Sequence, residues 1–212
     1  MLGQCVPGCV VEIGAGCGSL QSYDAGVISL DIVNSPWVDI VADAQGLPFD
    51  AESVDNLVML DVLHHIPRPL LLLDEADRVL RPGGKLVMLE PSITLLSQFF
   101  YSRIHPEPVD MKADMFADQP LSSEDPFASN QAIPTLLFAK HEQTLANRLN
   151  GLEVKHNEWL GPFSYPLSGG FRPWQLLTKR TLRMLLKLER RLPVSVLKLL
   201  AFRLLTVMEK SR

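Results

Sequence analysis

"CVVEIGAGCGSL", residues 9–20, is the stretch whose reading decides the fold. An apolar run meets Glu12 and then three glycines at alternate positions, Gly14, Gly16 and Gly18. A short buried strand that turns at once toward a helix needs this composition. Glycines permit the turn and let the backbone approach a ligand closely, and a helix start offers unpaired N–H groups. The spacing then narrows the ligand. The dinucleotide fingerprint places its third glycine three residues after the second; here Ser19 holds that position and Gly18 comes one place early. A carboxylate at Glu12 repels a pyrophosphate and suits an ammonium group. The loop therefore favours a cationic or zwitterionic nucleoside over a nicotinamide dinucleotide. A Walker loop is excluded, since no Gly-Lys-Ser/Thr follows.

Working outward, "GVISLDI", "VDIVADA", "VDNLVMLDV" and "KLVMLEP" read as four further strands, nearly continuous in apolar residues. Parallel strands covered on both faces have that character. Between the last two lies "PLLLLDEADRVLRPGG". Its Leu72, Leu73, Ala76, Val79 and Leu80 recur at helical spacing, and Pro82-Gly83-Gly84 is expected to stop the helix. Strands alternating with helices predict a doubly wound α/β sheet. Residues 92–134 break the pattern with several prolines and mixed polarity, and read as an insertion or lid. After it, "IPTLLFAKHEQTLANRLN" reads as a helix, "LEVKHNEWLG" as a strand and "FRLLTVMEK" as a final strand. The 212 residues are expected to form one domain, 1–212.

Charge is unevenly distributed. From Arg172 to Arg212 there are 11 Lys and Arg against Glu189 and Glu209, although the whole chain carries −4. Residues 172–204 read as a basic amphipathic helical segment, broken by Pro193. Two readings stand: a solvated basic face, or a surface for an anionic partner or membrane. The overall charge gives no reason to expect nucleic acid. Three cysteines without a CxxC pair fit neither a disulfide framework nor a zinc site, and suit a reducing cytoplasm. "MLGQCVPGCVVEIGAG" lacks the basic start of a signal peptide. "LPVSVLKLLAFRLLTVM" carries Lys198 and Arg203 and is not read as a transmembrane helix.

E-x-G-x-G-x-G resembles motif I of the class I S-adenosylmethionine-dependent methyltransferases. "SLDI", "VADAQGLPFDAESVDNLVMLDVLHHI" and "RVLRPGGKLVMLEPS" follow in the order that family shows, so the resemblance covers residues 10–92. It implies a Rossmann-like, seven-stranded, mostly parallel sheet with helices on both faces and the last strand antiparallel. It also implies S-adenosylmethionine as cofactor. Gly14, Ala15, Gly16 and Gly18 would pass its amino-acid part, and Glu12 would neutralise the ammonium directly or through water. Asp31 would accept from both ribose hydroxyls, because a carboxylate takes two donors at once. Ile32 would lie against the adenine, Asp43 would accept from its amino group, and Ala44 would offer an N–H. Leu60 would give a carbonyl to the methionine ammonium, with Asp61 beside it. Asp31 and Asp43 also suit turns or helix caps. Only 12 residues separate Gly18 from Asp31, so the first helix is expected to be short. The helices that usually precede the first strand are expected to be reduced, absent or truncated away.

Methyl transfer from a sulfonium is an in-line displacement in which positioning supplies much of the catalysis. A carbon or hydroxyl acceptor also needs a base. The candidates are His65 and His64 after the fourth strand, His105 in the insertion and Glu90 after the fifth strand. A metal site of Asp61, His64 and His65 is set aside, since the cofactor belongs in that space. The expected acceptor is a small molecule or is lipid-linked, on a cytoplasmic protein that contacts the inner face of the membrane through 172–204. A non-catalytic cofactor-binding regulator or scaffold of the same fold is the alternative.

Overall fold

The computed structural model describes residues 1–17, 20–117, 120–121, 128–170 and 176–211. Its centre is one seven-stranded sheet: β1 (Val10–Ile13), β2 (Ile28–Asp31), β3 (Ile40–Val41), β4 (Val54–Leu60), β5 (Leu80–Pro91), β6 (Leu152–Leu160) and β7 (Arg203–Lys210). The strand order is β3-β2-β1-β4-β5-β7-β6. Strands β1 to β5 pair in parallel, and β7 runs antiparallel to both its neighbours. The order reverses between β1 and β4, which creates the crevice where open α/β sheets bind ligands.

Burial explains the apolar strands. Val11, Leu57, Met59, Leu86 and Met88 are fully buried on one face of the sheet, together with Leu72, Leu73 and Ala76 of α1 (Pro69–Val79). Pro69 opens that helix at a position where its missing N–H costs nothing. α3 (Ile133–Thr135), a π-helical turn (Leu136–Lys140) and α4 (Glu142–Arg148) extend the same layer. The opposite face carries a smaller cluster around Val58, Val87 and Val207. Leu20, Val27 and the N-terminal 3-10 turn (Leu2–Gln4) cover it.

Three local expectations shift. Residues 20–26 form turns rather than the short helix expected before β2. α1 ends at Val79, ahead of the Pro-Gly-Gly, because Leu80 already pairs with Val54 as the start of β5. The helix expected from Ile133 to Asn150 is interrupted by the π-helical turn.

α1 also fixes the loop before β4. Arg78 donates to the Phe49 carbonyl (2.8 Å) and the Leu47 carbonyl (2.9 Å), while its ion-pair partner Glu75 accepts from the Leu47 N–H (2.8 Å). A guanidinium presents five donors in a planar fork that spans separated acceptors, and the compact ammonium of a lysine cannot match that reach. Arg78→Lys should therefore lower unfolding stability by about 1–3 kcal/mol in urea denaturation. A lysine variant as stable as the parent chain would show that the fork does not hold this loop.

Candidate functional site

A cavity of about 640 Å³ opens at the C-terminal ends of β1, β2, β3 and β4. That is the size range of small-ligand pockets. Gly14, Asp31, Ile32, Asp43, Ala44, Asp61 and His65 line it. Sequence reasoning missed Gln45 and Arg68, which also line it. The Arg68 N–H donates to the Gln45 side chain (3.1 Å), a contact between two loops that no residue pattern announces.

The glycine loop reaches the cavity through Gly14, whose φ is +70°. A Cβ there would lie 2.3 Å from Val62, so only glycine fits. Gly14 and Ala15 donate N–H groups to the Leu30 carbonyl at 2.8 and 3.1 Å, tying the loop to β2. Asp31 completes the tie: one carboxylate oxygen accepts from the Gly16 N–H (2.8 Å), the other from the Val33 N–H (2.8 Å). Each oxygen keeps a further lone pair for a ligand. Asp43 accepts from the Gln45 N–H (2.8 Å), the turn role its residue type permits, and remains at the cavity wall.

Not every expected residue reaches the cavity. Glu12 is buried beneath the loop and lies outside the lining, as do Ala15, Gly16 and Leu60. Gly18 lies outside the described residues. Ile32 is half exposed at the mouth. Asp61 adopts φ +58°, a left-handed conformation that Asp tolerates better than most residues. It is held there by Arg203 of β7 (2.5 Å) and by donating its N–H to the Leu89 carbonyl (3.1 Å).

The three histidines separate by environment. His64 does not line the cavity and is 3% exposed. Its Nδ1 meets Glu90 at 2.8 Å and its Nε2 meets Glu107 of the insertion at 3.4 Å. Burial opposes its charge, but the two carboxylates outweigh burial and raise its pKa to about 9. A protonated ring with both nitrogens engaged cannot accept a proton, so the geometry gives His64 a bridging place rather than that of a base. Glu90 is itself buried and accepts from the Val62 and Leu63 N–H groups (2.8 and 2.9 Å). Burial works against its ionised form, yet His64 and the two amides hold its pKa below the ordinary range. Glu107 is likewise penalised by burial, and His64 pulls it down to about 2.

His65 lines the cavity, half-buried, with Nδ1 3.2 Å from the Ala128 carbonyl. That acceptor calls for a proton on Nδ1 and leaves the Nε2 lone pair as the basic site. Burial and the charge on His64 lower its pKa, which keeps it neutral near pH 7. His105 sits away from the cavity, edge-on to Tyr101 at 5.5 Å, and its Nδ1 accepts the Glu107 N–H at 3.3 Å. Burial lowers its pKa as well. The ligating atoms of His64, His65 and Glu107 come within 4.8 Å of one another, as do those of Asp61, His64 and Glu90. In both groups His64 already spends its nitrogens on carboxylates.

Residues 11–88 match the family model described as a methyltransferase domain. The chain is 44% identical over 62 residues to phthiotriol/phenolphthiotriol dimycocerosates methyltransferase 1 of Mycobacterium ulcerans, covering 28% of this chain and 23% of that one. It is 41% identical over 61 residues to demethylmenaquinone methyltransferase of Staphylococcus epidermidis, covering 27% and 25%. The matched stretches thus span a quarter or less of these relatives' lengths. A crystal structure of a SAM-dependent methyltransferase from Archaeoglobus fulgidus superposes with a TM-score of 0.52 at 14% identity, covering 96% of this chain and 87% of that one. At that identity the likeness speaks for the fold.

The bridge predicts a pH profile. The raised pKa of His64 means its stabilisation is complete below its ordinary 6.5 and is lost as pH rises through about 9. The lowered pKa of Glu107 acts in the opposite direction: its contribution is complete above 4.5 and disappears as pH falls through about 2. Both reflect one interaction and are not additive. Between about pH 6 and 10 the chain should lose a few kcal/mol in urea titrations, and His64→Gln should flatten that limb. Parallel profiles for the two proteins would remove the charged bridge from the account.

Proposed function

We propose that this chain, whose residues 11–88 match a methyltransferase-domain model, is a class I S-adenosylmethionine-dependent methyltransferase that transfers a methyl group from S-adenosylmethionine to a small-molecule or lipid-linked acceptor. The observation that carries this reading is the convergence of Asp31, Asp43, Asp61 and bare Gly14 backbone on one cavity at the strand-order reversal. The relatives' names put demethylmenaquinone and phthiotriol dimycocerosates among the acceptors of similar domains.

The residues present fit the cofactor. Asp31 offers spare acceptor capacity for a ribose diol while staying anchored by two amides. Ile32 and Leu71 give the adenine an apolar wall, with Asp43 at its edge. Gly14 lets the backbone close on the amino-acid part, and Asp61 brings a carboxylate near the ammonium. Bound there, S-adenosylmethionine supplies an activated methyl group on a positively charged sulfur. The work left to the protein is orientation, exclusion of water and, for a hydroxyl or carbon acceptor, removal of one proton. His65 Nε2 takes that proton in this reading. His64 stays charged behind it, held by Glu90 and Glu107, and keeps the His65 ring in the basic form.

Asp31→Ala should weaken binding of S-adenosylmethionine and its demethylated product at least about tenfold by calorimetry, with the fold retained in circular dichroism. Unchanged affinity would overturn the ribose assignment. His65→Asn should keep cofactor affinity and lower turnover by about 10²-fold, once labelled cofactor has identified an acceptor in a metabolite screen. Full turnover in that variant would remove His65 as the base.

A further inference from the structure

Residues 161–202 leave the sheet at the C-terminal end of β6 and return at the first residue of β7. Leu160 pairs with Arg203, and Arg203 pairs with Pro91 at the end of β5. This excursion therefore hangs from the same edge of the sheet as the cavity. Its return residue, Arg203, grips Asp61 on the cavity wall. The described part of the excursion holds α5 (Ser164–Leu167), α6 (Lys179–Glu189) and α7 (Val194–Leu200). α2 (Leu95–Arg103) rises from the same edge just after β5 and packs against α7.

These helices keep much of their apolar surface in water. Met184 and Leu188, one turn apart on α6, are 59% and 57% exposed. Leu95 and Phe99 on α2 show the same spacing at 74% and 52% exposure, and Val194 on α7 is 60% exposed. Single exposed apolar residues are ordinary; several on helices that leave the same end of the sheet mark an interaction surface.

The charge of the same helices states what that surface fits. Seven Lys and Arg residues lie between Lys179 and Lys198. The single acid there, Glu189, is buried and spent on α5: it accepts from the Phe163 and Ser164 N–H groups (2.8 and 2.7 Å) and from the Ser164 hydroxyl (2.6 Å). Among the described residues none of the seven cations forms an ion pair, whereas Arg78, Arg81, Arg148 and Arg203 all do. Lys198 lies over the Trp159 ring (4.7 Å), and Arg103 of α2 over Phe99 (4.3 Å). Unpaired cations flanking an exposed apolar ridge make an interfacial helix. A nucleic-acid backbone would use the cations and leave Met184, Leu188 and Leu95 in water.

We propose that α2, α6 and α7 form a docking surface for an anionic lipid bilayer, with Met184 and Leu188 entering the headgroup boundary and the cations of α6 meeting lipid phosphates. Among the described residues no helix is long and apolar enough to cross a membrane, and the proposed contact lies along the bilayer surface. Resting on the methyl-transfer reading, a consequence is that the acceptor is carried in the bilayer and meets the cavity from the membrane side.

Co-sedimentation with vesicles tests the surface without cofactor. The chain should bind vesicles of phosphatidylcholine with about one third phosphatidylserine at least tenfold more strongly than phosphatidylcholine alone, and lose the difference in high salt. Arg180→Glu with Lys187→Glu and Arg191→Glu should abolish the preference. Met184→Ser with Leu188→Ser, which leaves every charge in place, should weaken binding at least about fivefold. Circular dichroism and calorimetric affinity for the demethylated cofactor, unchanged in both variants, establish that the fold survives. Equal binding to the two vesicle types overturns the proposal. So does tighter retention on an oligonucleotide than on anionic vesicles. Anionic-vesicle binding by a chain that fails to bind cofactor upholds the surface and overturns the methyl-transfer reading instead.

Discussion

A single buried carboxylate organises the end of the sheet where the site lies. Glu90 closes β5 inside the protein, where an ionised group must find partners or forfeit its charge. It finds three: the N–H groups of Val62 and Leu63 and the ring of His64. Those bonds draw the chain after β4 into the 3-10 turn Leu63–His65. The turn sends His64 inward and leaves His65 on the cavity wall. His64 then reaches Glu107, and its carbonyl accepts the Asn130 N–H (2.8 Å), so the insertion is built onto the same carboxylate.

The two adjacent histidines show how environment divides one residue type into two roles. Their rings lie 4.2 Å apart. One is clamped between two carboxylates and carries charge; the other faces a carbonyl and an open cavity and does not. Burial, and then the charge on the first ring, lower the pKa of the second, so the two rings differ in protonation instead of duplicating one another. On the cavity wall, Asp31 and Asp61 act in a similar double capacity. Each anchors backbone or a neighbouring strand, and each still faces the space where a ligand belongs.

Much of this was legible in the residues. The alternating glycines and Glu12 announced a strand turning into a ligand loop, and Asp31 and Asp43 fell where strands β2 and β3 end. Continuous apolar runs marked the parallel strands because both their faces are covered. Local spacing predicts too long a helix before β5, since it cannot register that Leu80 is claimed by a partner strand. The glycine loop predicts a short helix before β2 where turns stand at residues 20–26. His64 and His65 are indistinguishable by spacing, because what separates them is the contact of His64 with Glu90 and Glu107, 26 and 43 residues away in sequence.

The sequence by itself determined the fold class and the donor cofactor, and it marked the carboxylates at the ends of β2 and β3, because those depend on short motifs whose geometry is local. It also announced the basic, apolar character of the C-terminal helices. Tertiary structure alone decided which histidine is charged and which stays neutral, that Arg203 holds Asp61, and that the basic helices hang from the edge of the sheet that carries the cavity. These depend on charges and strands brought together across long stretches of chain. Burial and proximity set a side chain's protonation, and neither exists until the sheet has closed around it.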